Sequence, residues 1–373
     1  MTQESLPETG PYTAPPLLDV PAVHPWRNVS RRSLTLALSV LPIVALINVG
    51  VLVWSLGGID LSQRISRPEL LGLAAALVFV PMLSNSLRLA IWARFLGVDL
   101  GFARALKVIT GMMVANSVTP SATGGMPIKV LFLMGEGVPV RRALTLVSFQ
   151  TAEDALVLFS LVGLCAGLSG FALFEFLGSD PVLWGRFSAG IRTTVLIAAM
   201  AAAGLVLIVA MVAGGVFGRR ARNFAFRMVD TGREYVSHIV LDWGAALRHG
   251  KGAALINITL AGVQWLVRFS IAGLVLAAFG IDWQPVLFWL LQYLVQSISS
   301  IVPTPGGAGG AEAGFLFLFA PFVPVDVLVP AMSAWRLMFF YLPLTGAACL
   351  FFLLTRKIRI KLAAPAAPPQ PAE

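Results

Sequence analysis

The sequence predicts an all-α polytopic membrane protein with about six full spans and two re-entrant broken-helix hairpins in an inverted-topology repeat. Three observations predict this fold. The 373 residues are 57% hydrophobic and only 12% charged, a composition that excludes a water-soluble domain. Windows of about 20 apolar residues, the length that crosses a bilayer, recur along the chain. Two further apolar stretches are broken in the middle by proline and glycine.

Six windows are long and apolar enough for full spans. They cover residues 33–56, 69–95, 142–168, 193–217, 253–280 and 325–355. A Pro-rich polar tail without a small-residue cleavage site precedes the first span, so we do not expect a removable signal peptide. The sequence predicts three parts. Residues 1–32 form a disordered cytoplasmic tail, residues 33–361 form a transmembrane domain, and residues 362–373 form a second disordered tail.

The formal net charge of +9 is concentrated before the first span, in the 218–251 loop and after the last span. By the positive-inside rule, these three regions face the cytoplasm. Acidic residues outnumber basic ones in and beside the loops then placed outside, 57–68, 169–192 and 281–284. We therefore predict a multi-pass protein of the bacterial cytoplasmic membrane with both termini in the cytoplasm. Nucleic acid is not an expected partner, because no aromatic residues interleave the basic loop.

The two broken stretches, 102–136 and 285–322, are each too interrupted for one helix and too short for two crossings. We expect a re-entrant hairpin in each, with two half-helices that meet at a backbone turn near the midplane. The first hairpin opens from the cytoplasm and the second from outside. A turn inside hydrocarbon requires protein, water or a ligand to satisfy its N–H groups. The amides that begin the outgoing half-helix attract anions.

The two hairpins resemble each other. One offset of 183 residues aligns four landmark pairs, which are Gly97 with Gly280, Pro120 with Pro303, Gly124 with Gly307, and Lys129 with Glu312. The repeat units cover 69–168 and 253–355. Because the second unit enters from the opposite side, the predicted architecture places a binding site at the midplane between broken helices. Close helix packing is an alternative reason for the glycines, and snorkelling to an interface is one for Lys129.

Ionisable residues at apolar positions extend this candidate site, because intramembrane charges usually face a polar cavity and pair there. Buried arginines together with Lys129 suit a phosphate head group. The predicted substrate-binding residues are Arg88, Pro120, Ser121, Thr123, Gly124, Gly125, Lys129, Asp154, Arg268, Pro303, Thr304, Gly306, Gly307, Glu312 and Arg336. No catalytic residue, metal site or cofactor is predicted, since the three histidines lie in tail or loop segments.

Lys129 and Glu312 occupy equivalent positions one turn into the outgoing half-helices. Inverted symmetry brings the hairpin tips together, so we expect both residues at one polar cavity. They would pair directly when it is empty, and a zwitterionic or phosphate-bearing head group would bridge them when it is occupied. The predicted partner of Glu312 is then a cation such as Arg336 or a lipid amine, or a proton. In the competing interpretation, Glu312 is only a carboxylate favoured by the helix dipole.

Three segments carry a resemblance to a known family: PSATGGMPIKVLFLMGEGVPVRRALTLVSFQTAEDAL, PTPGGAGGAEAGF and SAWRLMFFYL. They resemble the lysylphosphatidylglycerol synthase transmembrane-region family, also called flippase-like integral membrane proteins, over roughly 35–355. The resemblance implies a role in moving lipid head groups across the bilayer. In the family's multiple peptide resistance proteins, this region translocates aminoacylated phosphatidylglycerol. This chain departs from the family pattern at Lys129 and at Thr151, where an arginine is usual.

Two functions from different classes follow. The preferred one is translocation of a polar-headed lipid, a phospholipid or an isoprenoid-linked lipid with an anionic or zwitterionic head group. The alternative is an integral membrane transferase or an accessory subunit that binds a lipid-synthesis enzyme. Transport is favoured because the loop carboxylates near the hairpins, Asp99 and Glu136, have no histidine or second acid at catalytic spacing.

Overall fold

The computed structural model describes residues 65–118, 125–168, 218–302, 304 and 306–363, with a few isolated residues between 192 and 203. These ranges are helical and contain no strand. The helices are α1 Pro68–Leu77, α2 Val80–Phe95, α3 Phe102–Val118, α4 Gly125–Gly135, α5 Val140–Leu168, α6 Gly218–His249, α7 Lys251–Ala278, α8 Pro285–Ile301, α9 Gly310–Phe319, α10 Val325–Arg336 and α11 Leu342–Ala363. A π-helical turn, Leu337–Tyr341, joins α10 to α11.

Four helical segments are long and apolar enough to cross a membrane. They are Pro68–Phe95, Val140–Leu168, Lys251–Ala278 and Val325–Thr355. Each agrees closely with one of the six predicted spans. Of the other two, 33–56 lies outside the described residues, as does nearly all of 193–217. The described part of the chain is therefore all-helical, with several helices long and apolar enough to span a membrane.

The spans α2 and α7 end in the same way. Gly97 follows α2 with a φ of +70°, and Gly280 follows α7 with a φ of +82°. In both cases the next residue donates its N–H to a carbonyl near the helix end, at 2.8 Å after Gly97 and 3.1 Å after Gly280. Glycine adopts this left-handed conformation without a Cβ penalty, which is why it so often closes a helix. These are the first two landmarks that the sequence alignment paired.

The short helices form two antiparallel pairs. Helix α3 packs on α4, and α8 packs on α9. The outer ends of the first pair meet where Lys107 Nζ lies 2.5 Å from Glu136 Oε1. Those of the second pair meet where the rings of Phe288 and Phe319 lie 5.7 Å apart. The turn of the first pair, 119–124, lies outside the described residues.

The basic segment 218–251, expected as a loop, is instead mostly the helix Gly218–His249. Charge alone suggested a loop, but the segment also has helical periodicity. Tyr235, Asp242 and Ala246 fall on one face of the helix and are partly or fully buried. An amphipathic helix of this kind is stabilised by packing on its neighbours, and α6 packs on α5.

Two ion pairs attach α6 to the start of α5. Arg142 Nη1 lies 2.5 Å from Asp242 Oδ1, and Thr145 donates its hydroxyl to Asp242 Oδ2 at 2.9 Å. Arg141 pairs with Glu234 nearer the surface. The basic helix is therefore fixed against the end of one membrane span.

The hydrophobic core has two parts, one in each half of the chain. One cluster is built mainly on α2, α3 and α5, and the other mainly on α7, α8, α9 and α10. The halves join where α2 packs on α7 and where α3 packs on α11. Ser84 of α2 donates its hydroxyl to the backbone carbonyl of Leu260 in α7 at 2.8 Å, a hydrogen bond across this junction.

Candidate functional site

A cavity of about 310 Å³ lies at the junction of the two halves. Helices from both contribute to its wall, with α2 and α3 on one side and α7, α8, α9 and the π-helical turn on the other. The charged lining residues are Arg268 and Arg336, and no aspartate or glutamate of the described chain lines the space. The uncharged polar lining residues are Asn85, Asn116, Ser117, Gln264, Gln296, Ser299 and Ser300. The rest of the wall is apolar or glycine.

Many lining residues are paired by the 183-residue offset. Pairs in which both members line the cavity are Pro81 with Gln264, Asn85 with Arg268, Met112 with Val295, Met113 with Gln296, Asn116 with Ser299, and Ser117 with Ser300. The two halves therefore present equivalent positions to one space. The side chains differ, since the second half supplies the charge and most of the hydrogen-bonding groups.

A cluster of charged residues lies beside the cavity in the first half. Arg88 is completely buried. Its Nη2 lies 2.8 Å from Glu153 Oε2 and its Nη1 lies 2.6 Å from Asp154 Oδ1. Trp92 donates its indole N–H to the other oxygen of Glu153 at 2.6 Å, and Trp265 donates to Asp154 at 3.2 Å. Buried charges persist when they are paired and hydrogen-bonded, and both conditions hold here.

Lys129 joins this cluster through an amide. Its ammonium donates to Gln150 Oε1 at 2.5 Å, and the Gln150 amide nitrogen donates to the side-chain and backbone oxygens of Asn85, each at 2.9 Å. Arg88 also donates to Gln264 at 3.3 Å. Asn85 and Gln264 line the cavity. The charged cluster therefore reaches the cavity through neutral amides.

The second half contains a different network around Arg336. The guanidinium Nε lies 2.8 Å from Glu312 Oε1, and Nη2 donates to the Gly306 carbonyl at 2.9 Å. The guanidinium carbon lies 4.4 Å from the centre of the Phe340 ring. The second oxygen of Glu312 accepts the N–H of Gly309 at 2.7 Å, at the start of α9. Arg336 thereby links the π-helical turn to the Gly-rich turn.

Arg268 has no acidic partner within 4 Å among the described residues. Its Nη2 donates to Gln296 Oε1 at 3.2 Å, and its guanidinium carbon lies 4.6 Å from the centre of the Phe339 ring. Its Nε is buried and has no hydrogen-bond partner in the described part of the chain. A guanidinium cannot lose its charge in a protein, so Arg268 brings to the cavity wall a positive charge that no carboxylate of the described residues contacts directly.

The Gly-rich turn between α8 and α9 has left-handed backbone at Gly306, Gly307 and Gly309, with φ of +62°, +65° and +83°. A Cβ on Gly307 would also come within 2.9 Å of the Ser299 carbonyl oxygen. The Thr304 hydroxyl, predicted as a ligand group, donates to the Ala308 carbonyl at 2.7 Å inside the turn. The turn is therefore satisfied largely by its own residues.

The predicted site residues fall into three groups. Those that line the cavity are Arg268, Gly306, Gly307 and Arg336. Those that lie in the networks or packing beside it are Arg88, Gly125, Lys129, Asp154, Thr304 and Glu312. Those outside the described residues are Pro120, Ser121, Thr123, Gly124 and Pro303.

The direct pair expected between Lys129 and Glu312 is not formed. Each residue has a partner in its own half, Gln150 for Lys129 and Arg336 for Glu312. The pair fails because each charge meets a nearer partner on its own side of the junction. Glu312 also occupies the amide end of α9, where an anionic ligand was expected, so the protein supplies that anion itself.

The polar residues of this region that were absent from the predicted site include Asn85, Gln150, Glu153 and Gln296. Asn85 is the offset partner of Arg268, so extending the repeat beyond its glycines would have found it, whereas the partner of Gln296 is Met113, which the sequence did not single out. Gln150 and Glu153 lie within about one helical turn of the predicted residue Asp154 on α5. This proximity in sequence is weaker evidence for a shared site than the offset, because a helix places adjacent residues on different faces.

Two comparisons show which known proteins this chain is similar to. The sequence model of the family described as lysylphosphatidylglycerol synthase TM region matches residues 34–347. A UPF0104 membrane protein of Archaeoglobus fulgidus is 22% identical over 268 residues, which cover 69% of this chain and 77% of that protein. The matched family region includes every residue that lines the cavity.

Proposed function

Because the chain belongs to the lysylphosphatidylglycerol synthase transmembrane-region family, we propose that it translocates a polar-headed lipid across the bacterial cytoplasmic membrane. The substrate is a phospholipid or an isoprenoid-linked lipid. Its head group enters the cavity at the junction of the two halves while its tails stay in the surrounding lipid. Three observations support this proposal: the family, the several apolar helices and the polar cavity enclosed among them.

The proposal includes two re-entrant hairpins, α3 with α4 and α8 with α9, related by an inverted repeat. Their antiparallel packing and the contacts between their outer ends support the hairpins. The matched glycine ends of α2 and α7 and the paired lining positions support the repeat. In such an architecture the halves move relative to each other around a fixed site, which exposes it to the two leaflets in turn.

One observation carries the proposal most strongly. The cavity holds two guanidinium groups among helices whose outer surfaces are apolar. A charged side chain in a membrane span is costly and usually marks a substrate pathway. The Arg88 cluster satisfies that cost internally, but Arg268 forms no direct ion pair in the described ranges. A polar head group provides the missing interaction.

Reconstituted liposomes test the proposal. We expect vesicles containing the protein to exchange a fluorescent lipid between leaflets faster than protein-free vesicles, as measured by a membrane-impermeant quencher. Arg104→Gln is the matched control, because Arg104 lies away from the cavity and pairs with Asp99, which is 96% exposed. Equal exchange with and without protein, for both phospholipid and polyprenyl-phosphate probes, would contradict transport and favour the transferase or accessory-subunit alternative.

Orientation is a separate element of the proposal. The charge distribution predicts that α6 and the C-terminus are cytoplasmic and that 175–185 is external. The attachment of α6 to the start of α5 supports a shared side for these two elements. Cysteine labelling from each side of the membrane checks the prediction. An external α6 would overturn the inverted repeat together with the orientation.

A further inference from the structure

We infer that the cavity selects a small head group that is anionic and carries no ammonium group. This inference rests on the proposed function and narrows its substrate class from any polar-headed lipid to a phosphate ester of net negative charge. It follows from the signs and partners of the charges in the wall, and from the size of the space.

The charges in the described wall sum to an excess of one positive charge. Arg336 is neutralised by Glu312, at 2.8 Å. Arg268 is the other charged lining residue, and its hydrogen-bond partner Gln296 is neutral. Glu153 and Asp154, in the neighbouring cluster, are balanced by Arg88, which pairs with both, and by Lys129, which joins the cluster through Gln150. A ligand with one negative charge therefore balances the wall, and a neutral or cationic ligand leaves Arg268 uncompensated.

An ammonium group finds no counter-ion among the described lining residues, since none of them is acidic. Glu312 uses one oxygen for Arg336 and the other for the N–H of Gly309, so both of its oxygens already have donors. An ethanolamine or aminoacyl head group would place its cation near two guanidinium groups. Like charges at close range in a low-dielectric site repel strongly, so the wall disfavours such lipids.

The neutral polar groups of the wall suit a phosphate oxygen as well. Ser299 contributes a hydroxyl and Asn85 a side-chain amide to the space that Arg268 lines, whereas the hydroxyls of Ser117 and Ser300 donate to carbonyls of their own helices. Arginine binds phosphate oxygens through a two-pronged donor arrangement. The volume of about 310 Å³ lies at the lower end of the range for ligand pockets, roughly 300–1,000 Å³. A phosphoglycerol-sized group fits this space better than a chain of sugars.

Equilibrium binding tests the inference separately from transport. The full-length protein in nanodiscs of neutral lipid is titrated with dioctanoyl phosphatidylglycerol and dioctanoyl phosphatidylethanolamine. Their head groups are similar in size, but ethanolamine carries an ammonium group where glycerol carries hydroxyls, so the two lipids differ by one unit of net charge. We expect phosphatidylglycerol to bind roughly tenfold tighter or more, because a charge-assisted arginine contact is retained in one complex and opposed in the other. Trp335 lines the cavity, so its fluorescence and native mass spectrometry provide two readouts.

Variants assign the preference to Arg268. Arg268→Gln should bring the two affinities together, Arg268→Lys should keep part of the preference, and Arg104→Gln should keep all of it. A folded Arg268→Gln protein that still prefers phosphatidylglycerol overturns the inference, and so does equal binding of the two lipids by the native protein. If vesicles that contain the native protein nevertheless exchange lipid between leaflets, the inferred head-group selectivity is wrong but the proposed lipid translocation still stands.

A free phosphate ester is the other source of the same chemistry. Glycerol phosphate is therefore added as a competitor at the concentration of the short-chain lipid. Weak competition supports a lipid head group, because the lipid also buries its tails. Competition equal to that of the lipid keeps the anion site but assigns it to a soluble phosphate ester, which overturns the proposed lipid transport.

Discussion

The two halves of the protein contain equivalent helices but use their buried arginines in opposite ways. In the first half, Arg88 is enclosed by two carboxylates, and none of these three groups lines the cavity. In the second half, Arg268 lines the cavity with a neutral amide and an aromatic ring as its contacts. A buried charge therefore stabilises the fold when its partners are charged groups of the protein. It remains available to bind a ligand when the protein supplies no such partner.

The offset between the halves makes this difference specific. Arg268 falls on Asn85, and the equivalent of Arg88 in the second half is Ile271. The two arginines therefore stand three residues apart in the aligned halves. Arg88 hydrogen-bonds to Glu153 of α5, and Arg268 lines the cavity.

The largest effect is expected for Arg88→Gln, which leaves Glu153 and Asp154 without their cation. Breaking a buried ion pair from one side costs about 3–5 kcal/mol, because the remaining charge stays buried and unpaired. We expect little folded protein in the membrane, as measured by abundance and thermal unfolding in detergent. A stable Arg88→Gln protein would contradict the structural role of Arg88, because the first-half cluster would then not be needed for the fold. Arg104→Gln controls for the loss of an arginine from a surface ion pair, since its partner Asp99 is exposed, and this loss costs about 1 kcal/mol or less.

The next effect is expected for Gly307→Ala in the second-half turn. The substitution combines a left-handed backbone with a close approach to the Ser299 carbonyl. Gly137→Ala is the matched control, because Gly137 also has a positive φ, of +86°, but a Cβ there would meet nothing within 4 Å. Strained conformations cost about 1–3 kcal/mol, and of these two positions only Gly307 adds a clash. Lipid exchange should fall much more in Gly307→Ala, and equal loss in the two variants would show that the turn is only a spacer.

Glu312→Gln and Lys129→Gln compare equivalent positions of the two halves. Glu312→Gln leaves two uncompensated guanidinium groups at the cavity, so we expect a several-fold change in lipid exchange at normal membrane abundance. Lys129→Gln changes a residue outside the lining and should mainly lower thermal stability, by about 1–3 kcal/mol for the altered hydrogen bond. Lipid exchange rates normalised to the amount of folded protein distinguish a loss of transport in Glu312→Gln from a loss of stability in Lys129→Gln. Normal exchange in Glu312→Gln would support the interpretation of Glu312 as a helix-start carboxylate alone.

Much of the fold could be predicted from the sequence, because the apolar runs are long enough to mark spans by themselves. The four described spans, the helix ends at Gly97 and Gly280 and the left-handed turn at Gly307 all depend on local chemistry that one sequence displays. The prediction of a loop was wrong for the helix Gly218–His249, because it weighed the charge of that segment without its periodicity.

The candidate site was predicted less completely, because partners depend on packing between distant helices. The sequence identified Arg88, Arg268 and Arg336 as buried charges, but it provided no means of telling which had acids beside them. Gln150 lies between Lys129 and Asn85 only because α5 packs against α2 and α4. The separation of Lys129 from Glu312 likewise depends on the three-dimensional arrangement rather than on their equivalent sequence positions.

The most direct test of the account measures thermal stability and lipid exchange together in Arg268→Gln. Because Arg268 has no ionic partner within the described protein, we predict unfolding close to that of the native protein and a large loss of exchange for an anionic lipid. A midpoint lowered as far as that of Arg88→Gln would contradict the account, because Arg268 would then be a structural residue. Exchange at the native rate in a stable Arg268→Gln protein would contradict it equally, because the cavity would not be the path of the head group.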